Sequence, residues 1–183
     1  MSEASNSGSR FNSGLPTMSD DDRRLHGMFV AGLRNAYAME REAVAIMEAR
    51  IAYFSRHSEI AARLRMHLEE TRAQQKRLEE ILAKLGVDTI MYSHPLIGSV
   101  GRWHTLVLVS VDDPLLRATF AHLAFEKLEA LAYRWLLAVA KLGEYHFAIP
   151  LLEQSLEEEF RMSGHIETQI DHLTEEKYSP RST

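Results

Sequence analysis

The amino-acid sequence predicts an all-α protein, an antiparallel four-helix bundle with a long crossover between its second and third helices. Only five prolines and nine glycines occur in 183 residues, and most lie outside long segments whose apolar residues recur at intervals of three and four, which is the helical period. No segment shows clear strand alternation, although TLVLVSV, residues 105–111, leaves a short strand or a helical turn open. Two short connections and one long one favour a bundle with a single crossover.

The ends of the predicted helices carry the signals expected of helix termini. The segment SDDD, from Ser19, supplies an N-cap and an acidic first turn to the first helix. Gly86 ends the second helix and Gly143 the third, since glycine readily follows a helix C-terminus. Pro114 suits the first turn of the third helix, because its missing N–H has no helical partner there. The predicted ranges are 19–54, 58–85, 113–142 and, from a start between 145 and 150, to about 176.

Composition indicates one folded domain. Hydrophobic residues make up 45% of the chain and charged residues 26%, which is typical of a globular protein. We expect a bundle over residues 19–176, with flexible tails at 1–18 and 177–183, because MSEASNSGSRFNSGLPT is polar and lacks the apolar region of a signal peptide. The net charge of −5 argues against nucleic acid as a partner, and no apolar run is long enough for a membrane span. The absence of cysteine agrees with a cytoplasmic location.

The apolar stripe of each predicted helix is interrupted near its middle by polar side chains, with at least one carboxylate in every helix. Burying unpaired carboxylates costs several kcal/mol each, and clustered ones also repel one another. We expect few arginines or lysines to face inward, whereas a pair of bound cations would neutralise the acids. The interrupting residues are Glu40 in the first helix, His67, Glu70, Thr71 and Gln74 in the second, His122, Glu126, Glu129 and Tyr133 in the third, and Glu158, His165 and Gln169 in the fourth.

Each of these features has a simpler explanation when taken alone. HLEET (67–71) and its echo SLEEE (155–159) are compatible with solvated helix faces, and single histidines or tyrosines are compatible with packed, hydrogen-bonded core residues. The coincidence of a central carboxylate in all four helices, at similar separations in both halves of the chain, favours a metal site instead.

Four segments together resemble the YciE/YciF family of ferritin-like bacterial proteins: YAMEREA, HLEETRAQ, FEKLEALAY and LLEQSLEEE. The resemblance covers about residues 25 to 175. It implies a ferritin-like bundle with a short extra helix in the crossover, a dinuclear metal centre, frequent pairing into homodimers and an association with bacterial stress responses. The metal ligands that it implies are Glu40, Glu70, Glu126, Glu129 and Glu158, with His67 as a ligand or an orienting neighbour. The supporting residues around them would be Tyr37, Gln74, His122, Tyr133 and His165.

The expected ligand set is rich in oxygen and poor in nitrogen. Carboxylate proteins that bind two irons usually carry a Glu-x-x-His pair on two helices, which these segments lack. Iron suits such a site best, with manganese or zinc left open. The sequence thus favours a protein that handles iron or reactive oxygen species, with dioxygen or peroxide as oxidant if it acts as a ferroxidase-type or peroxide-consuming oxidoreductase. The alternatives are a metal-free helical structural or interaction module and a manganese-catalase-like enzyme.

Overall fold

A computed structural model describes residues 18–54, 56, 58–88 and 111–179, and it contains four long helices. These are α1 (Asp20–Tyr53), α2 (Ser58–Lys84), α3 (Pro114–Leu142) and α4 (Ile149–Tyr178). The predicted all-α class is confirmed, and the helix bounds agree closely with the predicted ranges. The short helix expected in the crossover, most of TLVLVSV and most of both tails lie outside the described residues. Among the described helices, none is long and apolar enough to cross a membrane.

The helices begin and end at the residues whose chemistry predicts it. The Ser19 hydroxyl accepts the backbone N–H of Asp22 at 3.1 Å, and the Asp22 carboxylate accepts the Ser19 N–H at 3.3 Å, so α1 begins with a capping box. Asp113 caps α3 by accepting the Leu116 N–H at 2.8 Å. Gly86, just past α2, has a φ of 68°, a left-handed conformation that favours glycine.

Two antiparallel hairpins, α1–α2 and α3–α4, pack against each other, with α1 against α3 and α2 against α4. We call the end where α1 joins α2 the α1–α2 end, and the opposite end the α3–α4 end. Because α2 and α3 both run from the α1–α2 end to the α3–α4 end, they are joined across the length of the bundle. Every pair of packed neighbours is antiparallel, as the sequence predicts.

The hydrophobic core is divided into two clusters, one toward each end of the bundle. The cluster at the α3–α4 end includes Phe29, Leu33, Leu78, Ile81, Leu136 and Leu152. The cluster at the α1–α2 end includes Met47, Phe54, Leu64, Leu116, Met162 and Ile166. Each helix contributes to both clusters, so its mid-length residues occupy the layer between them.

Candidate metal centre

The layer between the two apolar clusters consists largely of buried ionisable and amide side chains. Every helix contributes, and each of these side chains is at most 1% exposed: Glu40 from α1, His67 and Gln74 from α2, Glu126 and Glu129 from α3, and Glu159 from α4. We call these six residues the polar layer. The interruption of the stripes in the sequence therefore corresponds to a real layer of buried charge.

His67 occupies the centre of the polar layer. Its Nε2 atom lies 2.9 Å from Glu126 Oε2 and 3.9 Å from Glu159 Oε2. Ligand atoms of these three residues all lie within 4.8 Å of one another, which is close enough to hold a metal ion. The other ring nitrogen, Nδ1, lies 2.9 Å from Glu70 Oε2. A carboxylate at Nδ1 is the usual way in which proteins orient a histidine whose Nε2 faces a metal.

Neighbouring side chains hold one oxygen of several buried carboxylates and leave the other without a donor. The Tyr133 hydroxyl donates to Glu40 Oε1 at 2.6 Å, and the Gln74 amide donates to Glu159 Oε1. Glu40 Oε2, Glu129 Oε1 and Glu159 Oε2 are buried and have no hydrogen-bond donor among the described residues. Native proteins rarely leave buried acceptors unpaired, so these oxygens point to a ligand.

His67 and Glu126 form a charged pair at the centre of the layer. Burial alone would lower the pKa of His67, but Glu126 and Glu70 outweigh burial and hold that pKa at about 9. Burial would likewise raise the pKa of Glu126, but His67 and His122 together bring it well below its usual range. His122 Nε2 lies 2.8 Å from Glu126 Oε1. Without metal, Glu126 is therefore ionised and His67 protonated at neutral pH.

The remaining carboxyl groups of the layer have raised pKa values when no cation is present. Burial, opposed by Tyr133 and His67, raises the pKa of Glu40 from 4.5 to about 8. Burial also raises the pKa of Glu129 and of Glu159 well above 4.5, and the neighbouring carboxylates raise both further. At neutral pH a proton bound to Glu40 thus supplies part of the neutralisation that a cation would otherwise provide.

Two of the described arginines, Arg50 and Arg77, approach the buried carboxylates. Arg77 is 9% exposed, and its guanidinium donates to Glu158 Oε2 and, at 3.0 Å, to Ser155 Oγ. Burial lowers the pKa of the half-buried Arg50, while Glu126 and Glu129 act to raise it. The sequence does carry a signal for Arg77: it follows Gln74 by three residues and precedes Ile81 by four, so it lies on the apolar stripe.

Four residues assigned to the site from the sequence are not members of the polar layer. Glu158 pairs with Arg77, and Glu70 lies at the edge with its side chain 23% exposed, also bonded to Arg161 at 3.2 Å. Tyr37 is half-buried and donates to the exposed Glu79 at 2.7 Å. His165 is exposed and lines a cleft. The structure brings the other predicted residues together: Glu40, His67, Gln74, His122, Glu126, Glu129 and Tyr133.

Glu159 is the member of the layer that sequence reasoning missed. Counting steps of three and four along α4 selects Glu158, yet Glu159 is the fully buried residue. Aligning HLEET with SLEEE places Glu159 opposite Thr71, which the stripe on α2 already turns inward. The repeat therefore contained the information that helical counting alone did not.

The donor set suits a transition metal that favours oxygen. Four carboxyl groups and one imidazole nitrogen are the kinds of ligand used for iron and manganese in proteins, and zinc also binds such groups. The three unpaired carboxyl oxygens fit this chemistry, since a cation accepts the lone pairs for which the protein provides no donor. The residues present therefore fit a metal centre.

Residues 24–179 match a protein family described as "Domain of unknown function (DUF892)". The chain belongs to this family. The match agrees with the resemblance to YciE/YciF-type proteins seen in the sequence, and that assignment is confirmed.

Three solved structures with the same fold are distant from this chain in sequence. The Escherichia coli stress protein YciF is 19% identical, with a TM-score of 0.71 over 84% of this chain and 98% of its own. YcfI from Rhodopseudomonas palustris is 22% identical, with a TM-score of 0.70 over 83% and 98%. The protein XCC3681 from Xanthomonas campestris pv. campestris is 23% identical, with a TM-score of 0.68 over 85% and 94%. At these identities the likeness establishes the fold.

Proposed function

We propose that the protein binds a dinuclear metal centre, of iron or else manganese, in the polar layer and serves iron or reactive-oxygen handling during bacterial stress. The observation that carries the proposal is the convergence of His67, Glu126 and Glu159 within 4.8 Å. Glu40 and Glu129 lie in the same buried layer, and each has an oxygen without a donor. One histidine and four carboxyl groups are enough to hold two ions when carboxylates bridge them.

Side chains next to the proposed ligands would hold them in position for metal binding. Glu70 fixes His67 through Nδ1, so Nε2 faces Glu126 and Glu159. Tyr133 and Gln74 each hold one oxygen of a carboxyl group and leave the other facing the layer. Such orienting neighbours commonly change metal affinity by roughly 10–100-fold when removed.

A bound iron pair would supply electrons to dioxygen or peroxide. The site would then act as a ferroxidase-type or peroxide-consuming centre. The protein would exclude water through the apolar clusters on both sides of the layer. The likeness to a stress protein supports the biological setting, and we place this activity in the cytoplasm.

The experiment that tests the proposal is a comparison of metal content in matched variants. The wild-type protein, produced in iron-supplemented medium and purified without chelator, should carry close to two metal ions per chain by elemental analysis. Glu159→Gln should lose most of this metal. Its control is Glu157→Gln, which changes an exposed neighbour by the same atoms and should retain full content. Less than a tenth of an equivalent in the wild type would favour the metal-free helical module instead.

Glu158→Gln distinguishes the two adjacent glutamates as ligands. Because Glu158 is engaged by Arg77, we expect this variant to keep its metal. Loss of metal from Glu158→Gln but not from Glu159→Gln would show that the ligand on α4 is Glu158, as helical counting predicts.

A further inference from the structure

An open cleft lies between the first turns of α2 and the second half of α4. It measures about 470 Å³, and its walls include Glu59, Ile60, His165, Gln169, His172 and Glu176. We call it the outer cleft. His165, Gln169 and His172 are spaced by four and three residues, so they share one face of α4, which here borders the cleft.

A second, much smaller cavity continues inward from the outer cleft. It shares Ile60, His165 and Gln169 with the cleft and is also lined by Arg63 and His122. We call it the inner pocket. Its volume is about 10 Å³, close to the ~10–15 Å³ needed for one water molecule. A hydrated cation is larger than this volume. To enter, it would have to lose water molecules and contact the lining side chains instead.

The inner pocket reaches His122, which contacts the polar layer. His122, on its wall, places Nε2 2.8 Å from Glu126 Oε1, and Glu126 in turn contacts His67 at 2.9 Å. The path from solvent therefore leads through the outer cleft and the inner pocket to His122 and then to Glu126. The apolar clusters flank the layer toward the two ends of the bundle.

We propose that the outer cleft and inner pocket form the access route by which a divalent transition-metal cation reaches the polar layer, with His172, His165 and His122 as successive transient ligands. This inference rests on the proposed function. Imidazole nitrogen binds such cations readily. The carboxylates of Glu59 and Glu176 would attract them to the cleft, where they outnumber the guanidinium of Arg56.

The chemistry of the route suits transit. His165 and His172 are not part of any group of three ligand atoms within 4.8 Å among the described residues, so the cleft offers few ligands at once and holds a cation weakly. Burial and Arg63 lower the pKa of His165, which leaves its imidazole neutral and its lone pair free at neutral pH. The narrow inner pocket makes dehydration the slow step, and the His165 side chain stands where that step begins.

The test is the rate at which metal-free protein takes up Co²⁺, followed by its visible absorption after rapid mixing at pH 7. The double variant His165→Leu, His172→Leu should load at least tenfold more slowly than wild type and reach the same final number of ions per chain. The control His146→Leu removes an exposed histidine at the α3–α4 end and should load at the wild-type rate. Thr168→Trp, which places a bulky ring at the wall of the cleft, should also slow uptake without changing the final stoichiometry.

Each outcome has a distinct meaning. If the wild type binds no Co²⁺, the proposed metal centre fails and the route with it. If the wild type binds Co²⁺ and both variants load as fast, the route is wrong while the metal centre stands. If the double variant loses bound ions at equilibrium, its histidines are permanent ligands, which also contradicts a route of transient ones.

Discussion

Glu40→Gln should make the metal-free protein more stable at neutral pH. Glu40 is completely buried on α1, and its folded-state pKa of about 8 compares with 4.5 for the ordinary group. At neutral pH the folded protein must therefore bind a proton that the unfolded chain does not hold. Glutamine has nearly the shape of the protonated acid, keeps an oxygen to accept from Tyr133, and needs no proton.

The size of this effect follows from the two pKa values. A carboxyl group whose pKa is raised on folding contributes its stability below 4.5 and loses it as the pH rises toward 8. Each pH unit in this window costs about 1.4 kcal/mol, so at pH 7 the wild type has lost about 3 kcal/mol that Glu40→Gln retains. The advantage of the variant should vanish near pH 4.5, grow through neutral pH and level off above pH 8.

The assay is urea denaturation of chelator-treated protein at several pH values, with the free energy of unfolding obtained by linear extrapolation. Glu42→Gln, two residues away on the same helix and half-exposed, is the matched control and should change the free energy by less than about 0.5 kcal/mol. A Glu40→Gln protein with the same stability as wild type at both pH 5 and pH 7.5 would refute the assignment of a buried, protonated carboxyl group. When metal is present the order should reverse, because the variant lacks a ligand.

Three other contacts give measurable outcomes. Cation affinity should rise from pH 6 to pH 8, because binding must displace the proton that His67 holds with a pKa of about 9. Calorimetry in two buffers should detect the release of this proton. If no proton is released, His67 is not a ligand. Arg77→Ala should destabilise by about 3–5 kcal/mol in urea, because Glu158 stays buried without its partner, whereas adding Glu158→Ala should recover part of the loss. Tyr133→Phe should cost about 1–2 kcal/mol by removing the bond to Glu40, and no cost would mean that the hydroxyl is dispensable.

The fold could be predicted from the sequence because the residues that mark helix ends and the spacing of apolar residues indicate the same four helices. SDDD, Pro114, Gly86 and Gly143 mark helix ends through backbone chemistry that depends on few neighbours. The interrupted stripes also located the polar layer, since Glu40, His67, Glu126 and Glu129 all lie where three-four spacing places them. Burial depends on which face of a helix a residue occupies, and residue spacing in one sequence is enough to predict that face.

The contacts between individual side chains were harder to predict from the sequence, because they depend on how each helix is rotated about its axis relative to its neighbours. Glu158 and Glu159 are adjacent on α4, and a rotation of one residue decides which faces His67 and which faces Arg77. The sequence places Tyr37 among the residues that support the metal ligands, yet its hydroxyl donates to the exposed Glu79. Long side chains such as these can point along the helix axis. Sequence spacing therefore predicts their position along the bundle better than it predicts which residue they contact.

The division of the polar layer between the two hairpins affects how the protein would come apart. Glu40 and His67 belong to α1–α2, whereas Glu126 and Glu159 belong to α3–α4, so any ion held among them bridges the seam between hairpins that are far apart in the chain. Stripping that ion would leave the pairing within each hairpin intact and weaken the docking of one hairpin onto the other. Amide exchange should therefore quicken first along the α1–α3 and α2–α4 contacts, with the short connections inside each hairpin exchanging as before.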